Sequence, residues 1–235
     1  NRKIVFGCDG LVLVKEDGGS NVARRHYVIQ DREQSAVSEA YRVLRGNLQK
    51  QKARKVLFVS AQKGNSNALT ALNTAASLAY AGKKVVLVDC DLRTPFLSDM
   101  LNVRHIGLNE VVNGDRTLEE ALQPAGIENV SILAAGRLST DPFAVLGNSR
   151  LRDILGQLEN MADYVLISSS PLVMGSREII SDACALASKV DGVVLVLDSR
   201  VVRVKAAKKV QALLQRANAV FLGAVLQDLP EGEFN

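Results

Sequence analysis

The chain alternates short, continuous apolar runs with longer segments in which apolar positions recur every three or four residues. Continuous runs predict buried strands, and the longer period predicts amphipathic helices. The predicted strands are 55–60, 85–88, 130–133, 164–167, 193–197 and 221–226, and the predicted helices are 34–48, 69–81, 118–122, 149–160, 179–188 and 202–217. This alternation predicts an α/β fold with a mostly parallel, doubly wound sheet and helices on both faces.

The N-terminal segment has a different pattern. Residues 3–15 read as a short hairpin around the turn 7–10, and a loop follows. We therefore expect an N-terminal strand or hairpin extension at residues 1–30 and a main domain at residues 31–235. The chain opens on Asn1 rather than on methionine, without a signal peptide or an apolar run long enough for a bilayer. We therefore expect a piece of a longer protein, in which a membrane anchor could lie elsewhere.

Composition narrows the chemistry. The 235 residues carry a net charge of +4, which permits contact with anionic surfaces without requiring it. Cys8, Cys90 and Cys184 lack C-x-x-C spacing, so we expect reduced thiols in a cytosolic setting. His26 and His105 are the only histidines, which argues strongly against a histidine-based metal cluster.

The segment after the first main-domain strand has the strand, loop, helix, strand order of a P-loop unit. A working P-loop reads G-x-x-x-x-G-K-[ST], because its backbone amides and lysine hold phosphates and its hydroxyl holds Mg²⁺. Here Ser66, Asn67 and Ala68 stand where Gly-Lys-Ser/Thr should be. We expect a vestigial phosphate loop made of Gly64, Asn65, Ser66, Asn67 and Ala68.

Motifs along most of the chain carry a family resemblance. From about residue 34 onward the chain resembles the bacterial tyrosine kinase (BY-kinase) domain of the CpsD/CapB/Wzc type, within the wider MinD/ParA class of P-loop proteins. The matching residues near the loop are Ser60, Gly64, Asn73, Ala75, Ala81, Gly82, Asp89, Asp91, Arg93 and Pro95. The resemblance implies a P-loop NTPase-like fold and an ancestral ATP-dependent protein-tyrosine autokinase.

The departures from the family pattern fall on the residues that carry its chemistry. Asn67 replaces the phosphate-binding lysine, Ala68 the Mg²⁺ hydroxyl, and Ser168 the Walker B aspartate. Phosphoryl transfer depends on positioning and charge neutralisation, and one charged hydrogen bond contributes roughly 1.5–3 kcal/mol. We therefore expect no catalytic residue and no cofactor. Lys63 could fold back onto a phosphate, but a solvated loop lysine is the simpler interpretation.

The carboxylate pair Asp89 and Asp91 is retained at the end of a strand, where the family uses it for Mg²⁺ and catalysis. Two interpretations stay open. The pair could keep residual Mg²⁺ with ATP or ADP, or Asp91 and Arg93 could cap a helix or join a structural ion-pair network. The serine run 168–170 is interpreted as a turn and helix cap rather than a nucleophile.

A helical motif suggests self-association. Glu39, Arg42 and Arg45 match the family's E-x-x-R-x-x-R motif, which mediates subunit contacts in a ring-shaped homo-oligomer. A local Glu39–Arg42 pair is the alternative. The three positions spread over about 120° of helix surface, so we expect at least one arginine to meet another subunit.

Two groups found in the family are missing near the C-terminal end, and one predicted helix is basic. No tyrosine follows Tyr164, whereas active relatives carry a C-terminal tyrosine cluster, and Gln227 replaces the asparagine of the family's closing V-L-N. The basic residues in 203–216 are interpreted as the solvated face of an amphipathic cover. ParA-like relatives use such faces on DNA, and anionic lipid is another target. Because aromatic residues are absent from this face, we expect no nucleic acid partner.

These observations predict an inactive BY-kinase-like domain that acts as an oligomerisation and regulatory module, and the resemblance implies a setting in exopolysaccharide or capsule biosynthesis and export. The resemblance implies a location at the cytoplasmic face of the cell membrane. It also implies a homo-oligomer that works with a membrane polysaccharide co-polymerase or with the protein's own transmembrane region. A weakly active ATP-binding kinase or ATPase and a ParA/MinD-like surface-binding module remain as alternatives.

Overall fold

The computed structural model describes residues 11–15, 36–62, 64–103, 106–174, 177–178, 180–198 and 204–228. The strands are β1 (Leu11–Lys15), β2 (Lys55–Ser60), β3 (Val85–Cys90), β4 (Leu122–Pro124), β5 (Val130–Leu133), β6 (Tyr164–Ser169), β7 (Val173–Met174), β8 (Arg177–Glu178), β9 (Gly192–Asp198) and β10 (Phe221–Asp228). The helices are α1 (Ala36–Lys50), α2 (Ser66–Tyr80), α3 (Phe96–Met100), α4 (Leu108–Asn113), α5 (Leu118–Ala121), α6 (Pro142–Gly147), α7 (Ser149–Met161), α8 (Ile180–Ala187) and α9 (Val204–Arg216). Each strand and helix predicted for the main domain is present, with ends shifted by at most three residues.

Eight of the described strands form one sheet in the order β1-β10-β9-β2-β6-β3-β5-β4. β4 pairs with β5 in antiparallel orientation, and the other neighbouring strands of this sheet are parallel. β7 and β8 form a separate antiparallel pair. The prediction of a mostly parallel sheet is confirmed.

The core has two layers because successive strand residues face opposite sides of the sheet. In β2, Val56 and Phe58 pack with α1, α2 and α3, whereas Leu57 and Val59 pack with α4 to α9. Helices therefore cover both faces, as the pattern predicted. α2 is buried on all sides from Ser66 to Ala79, so it is the central helix of its layer.

The structure differs from the predictions in the short elements. α3, α4 and α6 occupy segments that the apolar pattern left as loops, because helices of five or six residues are too short to show a period. β1 pairs in parallel with β10 at one edge of the sheet. The other arm of the predicted hairpin lies outside the described residues, and the division at residue 30 stays a prediction. Within the described ranges, no helix combines the length and apolarity needed to cross a membrane.

Candidate functional site

The candidate site lies where the carboxyl ends of β2, β3 and β6 meet. β6 lies between β2 and β3 in the sheet, so the residues that follow these parallel strands converge at one edge, the usual ligand position in doubly wound folds. Gly64 turns the loop with φ of +109°, a left-handed conformation that favours glycine. α2 begins at Ser66, three residues earlier than predicted. Ser66, Asn67 and Ala68 therefore form its first turn rather than the end of the loop.

Asn67, at the position of the family's lysine, is hydrogen-bonded to β6. Its Nδ2 donates to the hydroxyl Oγ of Ser168 at 3.2 Å and to the carbonyl oxygen of Ser169 at 2.6 Å. Asn67 and Ser168 are both about 1% exposed. Two positions that bear charge in the family motif thus hold a buried, neutral hydrogen-bonded pair.

A second set of neutral contacts ties the first two turns of α2 to its surroundings. Gln62 Nε2 donates to Ser66 Oγ at 3.1 Å, and the Thr70 hydroxyl donates to the Ser66 carbonyl at 2.7 Å. Gln227 in β10 donates from Nε2 to Thr70 Oγ1 at 2.7 Å. The four side chains are buried. Gln227, which replaces the family's closing asparagine, therefore contacts α2.

Asp89 is a buried carboxyl with its own structural partners. Ser98 donates to Asp89 Oδ2 from its backbone N–H at 3.0 Å and from its hydroxyl at 2.8 Å, and the Asp91 N–H donates to Oδ1 at 3.2 Å. Burial raises the pKa of Asp89 to about 7; the Ser98 hydrogen bonds lower the pKa, and the Asp91 charge raises it further. Near neutral pH this carboxyl is only partly ionised, so a cation here would compete with a proton as well as with the Ser98 donors.

Asp91 and Arg93 belong to a structural network. Asp91 accepts hydrogen bonds from the Ser170 hydroxyl at 2.9 Å and from the Thr94 N–H at 3.0 Å and hydroxyl at 2.9 Å. Arg93 Nε pairs at 3.2 Å with the fully buried Asp182. Asp91 closes a turn through its side chain and Arg93 forms an ion pair, while the choice between the two interpretations of the aspartate pair stays open. A metal role for Asp89 and Asp91 stays a prediction; among the described residues no group of three acidic, cysteine or histidine side chains could hold an ion.

The serine run was predicted to be a turn and helix cap, and that prediction is wrong. β6 continues through Ser168 and Ser169 because β3 pairs with it in parallel as far as Cys90. Ser170 then donates to Asp91 across the strand ends. Lys63, the candidate for a phosphate contact, lies outside the described residues.

The E-x-x-R-x-x-R motif lies on α1. Glu39 and Arg42 form an exposed ion pair at 3.1 Å, as the local alternative expected. Arg45 Nη1 donates to the carbonyl oxygen of Ser77 in α2 at 2.6 Å. Arg45 therefore has an acceptor in its own chain, and the argument that the wide arc requires another subunit does not hold for it. The interface role of these three residues stays a prediction.

Two further features agree with the sequence. In α9, Val210 and Leu214 are buried in the core while Lys208 and Lys209 are exposed, as expected for an amphipathic cover. Cys90 and Cys184 are free thiols, and burial raises the pKa of both. Cys8 lies outside the described residues.

Sequence analysis missed the residues that complete the site. Ser98 was missed because it lies in the short helix α3, and Gln62 and Thr70 because their partners are set by the packing of α2. One local signal was present: Thr94 and Pro95 follow Asp91 after two residues, and Asp-x-x-Thr-Pro is typical of a side-chain-closed turn.

The strand order, the helix that starts beside β2 and the converging strand ends define the class of P-loop-type nucleotide-binding α/β proteins. A family model described as an AAA domain matches residues 54–219, and the chain belongs to that family. The chain is 27% identical over 209 residues to a putative tyrosine-protein kinase CapB of Staphylococcus aureus, covering 86% of this chain and 89% of the relative.

Two further comparisons agree. The tyrosine-protein kinase CpsD of Streptococcus pneumoniae is 29% identical over 195 residues, covering 81% of this chain and 84% of the relative. The solved structure of the BceF tyrosine kinase domain is similar with a TM-score of 0.74 and 25% identity, covering 85% of this chain and 80% of that one. The resemblance to bacterial tyrosine kinases is confirmed.

Proposed function

We propose that this chain is a catalytically inactive member of the bacterial tyrosine kinase family that acts through contacts. Its role is oligomerisation and regulation within an assembly that makes and exports exopolysaccharide or capsule. The observation that carries the proposal is the buried hydrogen bond between Asn67 and Ser168.

This contact bears on activity because of what it replaces. A polyphosphate needs cationic and N–H donors that are free to meet it. The Asn67 amide already donates to two oxygens of β6, so a phosphate would have to compete with buried hydrogen bonds. Because Asn67 is neutral, position 67 supplies no positive charge to compensate for the loss of these hydrogen bonds.

The retained carboxylates support the same conclusion. Asp89 and Asp91 together accept hydrogen bonds from Ser98, Thr94 and Ser170. A magnesium ion would have to displace these donors and also force Asp89, whose pKa lies near 7, to ionise. Both costs weaken metal binding.

The proposed setting follows from the family. The relatives named above are tyrosine-protein kinases, and the family resemblance supports a setting in polysaccharide export. The partners are further copies of this chain, arranged head to tail in a ring, and a membrane polysaccharide co-polymerase or the protein's own transmembrane region. Glu39, Arg42 and Arg45 on α1 are the candidate contact residues between copies, and the assembly lies at the inner face of the membrane.

A second function has one specific observation in its favour. Asp89 and Asp91 keep the family spacing, which would suit residual Mg²⁺ with ATP or ADP, assisted by Lys63. A third, a ParA/MinD-like surface-binding module, is favoured only by the exposed Lys208 and Lys209 of α9.

Calorimetric titration with Mg²⁺·ADP and Mg²⁺·ATP tests the proposal. We expect no saturable heat, and no rise in melting temperature at millimolar nucleotide, because ligand stabilisation scales as RT ln(1 + [L]/Kd). A saturable isotherm, or a melting temperature raised by several degrees, would contradict inactivity and favour the residual-binding function.

A gain-of-function variant sharpens the test. Ser66→Gly, Asn67→Lys, Ala68→Ser and Ser168→Asp together should restore measurable nucleotide binding, because loop and strand keep the family spacing. The matched control carries only Ser66→Gly and Ala68→Ser; it restores the backbone and hydroxyl without the charges and should not bind. If the fourfold variant folds but binds nothing, the network around Gln62 and Thr70 has remodelled the site further.

A further inference from the structure

The end of the molecule at which the parallel strands begin carries an excess of positive charge. β10, β9, β2, β6, β3 and β5 are parallel neighbours, so the segments that enter them lie along one edge of the sheet. At about 4.8 Å per strand this edge is about 24 Å long. We call it the amino pole; it comprises residues 50–55, 80–84, 125–129, 159–163, 188–191 and 216–220. These segments contain eight lysines and arginines against four aspartates and glutamates, an excess of four that equals the net charge of the whole chain.

Three of the four acidic side chains of the amino pole are engaged by groups of their own chain. Asp191 Oδ2 accepts two backbone N–H groups at 2.8 Å, those of Arg54 and Lys55. Glu159 pairs with Lys55 Nζ at 2.7 Å. Asp163 Oδ2 also accepts a backbone N–H, at 2.8 Å. The acids of the pole therefore serve mainly to hold the chain where it enters the strands.

Five basic side chains of the amino pole remain available. Among the residues that the structure describes, no hydrogen bond or ion pair engages the side chains of Lys50, Lys52, Lys83, Lys84 and Arg216. Lys83 is half-buried, and the other four are exposed. Cations in the last turn of a helix complement the helix dipole, which accounts for Lys50 and Arg216. The lysines at 52, 83 and 84 lie beyond the helix ends, so the dipole does not account for them.

Exposed apolar side chains lie among these cations. Tyr80 is 38% exposed, Met161 is 47% exposed and Val220 is 59% exposed. They are three of the six large apolar side chains exposed in the described part of the chain. Basic side chains interspersed with exposed apolar groups are typical of surfaces that bind the interface of an anionic bilayer.

The chemistry of the amino pole favours lipid over nucleic acid. Four of its five available cations are lysines, which act as point charges, whereas nucleic acid is read by the arginine fork and by stacked aromatic rings. Tyr80 is the only aromatic residue in the six segments. The aliphatic Met161 and Val220 can enter a headgroup layer, and a phosphate backbone offers them no apolar partner.

We propose that the amino pole docks on the anionic headgroups of a lipid bilayer, with Met161 and Val220 entering the headgroup layer. The inference rests on the membrane location proposed above, and it adds the surface that binds and the charge of the lipid. The candidate site lies at the opposite, carboxyl ends of the strands. Docking therefore leaves that site facing away from the bilayer.

Sedimentation with vesicles tests the proposal. The unmodified chain should bind vesicles of phosphatidylglycerol mixed with phosphatidylcholine, and it should not bind phosphatidylcholine alone. Each cation near an anionic surface strengthens binding about fivefold, so Lys50→Gln with Lys84→Gln should raise the dissociation constant about 25-fold. At 1 M salt the Debye length falls to about 3 Å, and binding should be lost.

The matched control removes the same charge elsewhere. Arg116→Gln with Arg152→Gln neutralises two exposed cations outside the amino pole and should raise the dissociation constant less than about threefold, because the Debye length of about 8 Å screens distant charges. Thermal melting checks that both double variants fold.

A fluorescent reporter tests contact by the amino pole itself. The chain contains no tryptophan, so Val220→Trp places a single indole on the pole. Its emission should shift to shorter wavelength on phosphatidylglycerol vesicles, because the indole leaves water, and should not shift with phosphatidylcholine vesicles or duplex DNA. Leu138→Trp is the matched control: its side chain is 64% exposed in the loop after β5, at the carboxyl ends of the strands, and it should show no shift.

Each contrary result overturns the proposal in a different way. Equal dissociation constants for the Lys50→Gln, Lys84→Gln variant and its control would exclude the amino pole. Loss of binding in Lys208→Gln with Lys209→Gln instead would assign the membrane contact to α9. Duplex DNA bound more tightly than vesicles would make the pole a nucleic acid surface. No measurement here uses nucleotide or the oligomeric state, so failure of the lipid contact leaves the inactive contact module proposed above standing.

Discussion

Two halves of the candidate site have changed in different ways. The neutral half, formed by Asn67, Ser168 and Ser169, has lost the charges of the family motif and keeps only amide and hydroxyl groups. The acid half, formed by Asp89 and Asp91, keeps both carboxylates. Both halves are buried, and both are satisfied by hydrogen bonds from the same chain.

The contacts of the acid half give its carboxylates a structural role that does not depend on chemistry. Asp89 and Asp91 hold the turn after β3 and the start of α3 through Ser98 and Thr94. Loss of either carboxyl would leave buried donors unpaired, which costs about 1–3 kcal/mol for each group. Stability alone is a sufficient reason to keep them.

The largest expected effect is a loss of fold stability when a charge is introduced into the neutral half. Asn67→Lys should destabilise the fold by about 3–5 kcal/mol, because it buries an ammonium without a counter-ion. Adding Ser168→Asp should recover part of that loss, since the pair is in contact in the unmodified chain. Denaturant unfolding of the single and double variants measures the coupling.

Asn65→Lys, two residues earlier at a partly exposed position, is the matched control and should change stability little. Equal stability of Asn67→Lys and the unmodified chain would show that the neutral half is open enough to solvate a charge.

The second expected effect belongs to the acid half and depends on pH. The pKa of Asp89 lies at about 7 in the fold against its ordinary value of 3.8. The folded state therefore keeps a proton that the unfolded chain loses, and this group makes stability fall as pH rises from about 4 to about 7. The full difference corresponds to at most about 4 kcal/mol.

Unfolding free energies measured between pH 4 and 8 in metal-free buffer should show this dependence in the unmodified chain and a flatter profile in Asp89→Asn. Parallel profiles for the two proteins would mean that Asp89 ionises normally and that the acid half is more hydrated than the structure shows.

The smallest expected effect is the change in melting temperature that Mg²⁺ produces at the two halves of the site. Mg²⁺ alone at millimolar concentration should raise the melting temperature by less than about 1 °C, because neither half offers a free set of ionised oxygen ligands. Differential scanning calorimetry measures this shift. A saturable rise that disappears in the Asp89→Asn, Asp91→Asn double variant would identify the acid half as a working metal site.

Prediction from sequence succeeded where the signal is local and repeated. β2, β5 and α7 were placed within a residue because apolar periodicity reports burial directly. It failed for α3 and α4, which are too short to show a period. It also failed for the serine run, because the length of β6 depends on its pairing with β3 rather than on the propensity of serine.

The candidate site shows the same contrast between local signals, which the sequence predicts, and long-range contacts, which it does not. The sequence showed which groups are missing at positions 66, 67, 68 and 168, since motif spacing aligns without insertions. It did not show that Arg45 would find an acceptor on α2, because that contact joins residues 32 positions apart.

By itself, the sequence determined the alternating parallel fold and the absence of the lysine, hydroxyl and aspartate that phosphate chemistry requires. Only the tertiary structure decided what replaced them. Asn67 meets Ser168 across 101 residues of chain, because the strand order sets β6 directly beside β2. Long-range side-chain contacts follow from strand order and packing, and neither is encoded in the local periodicity of the chain.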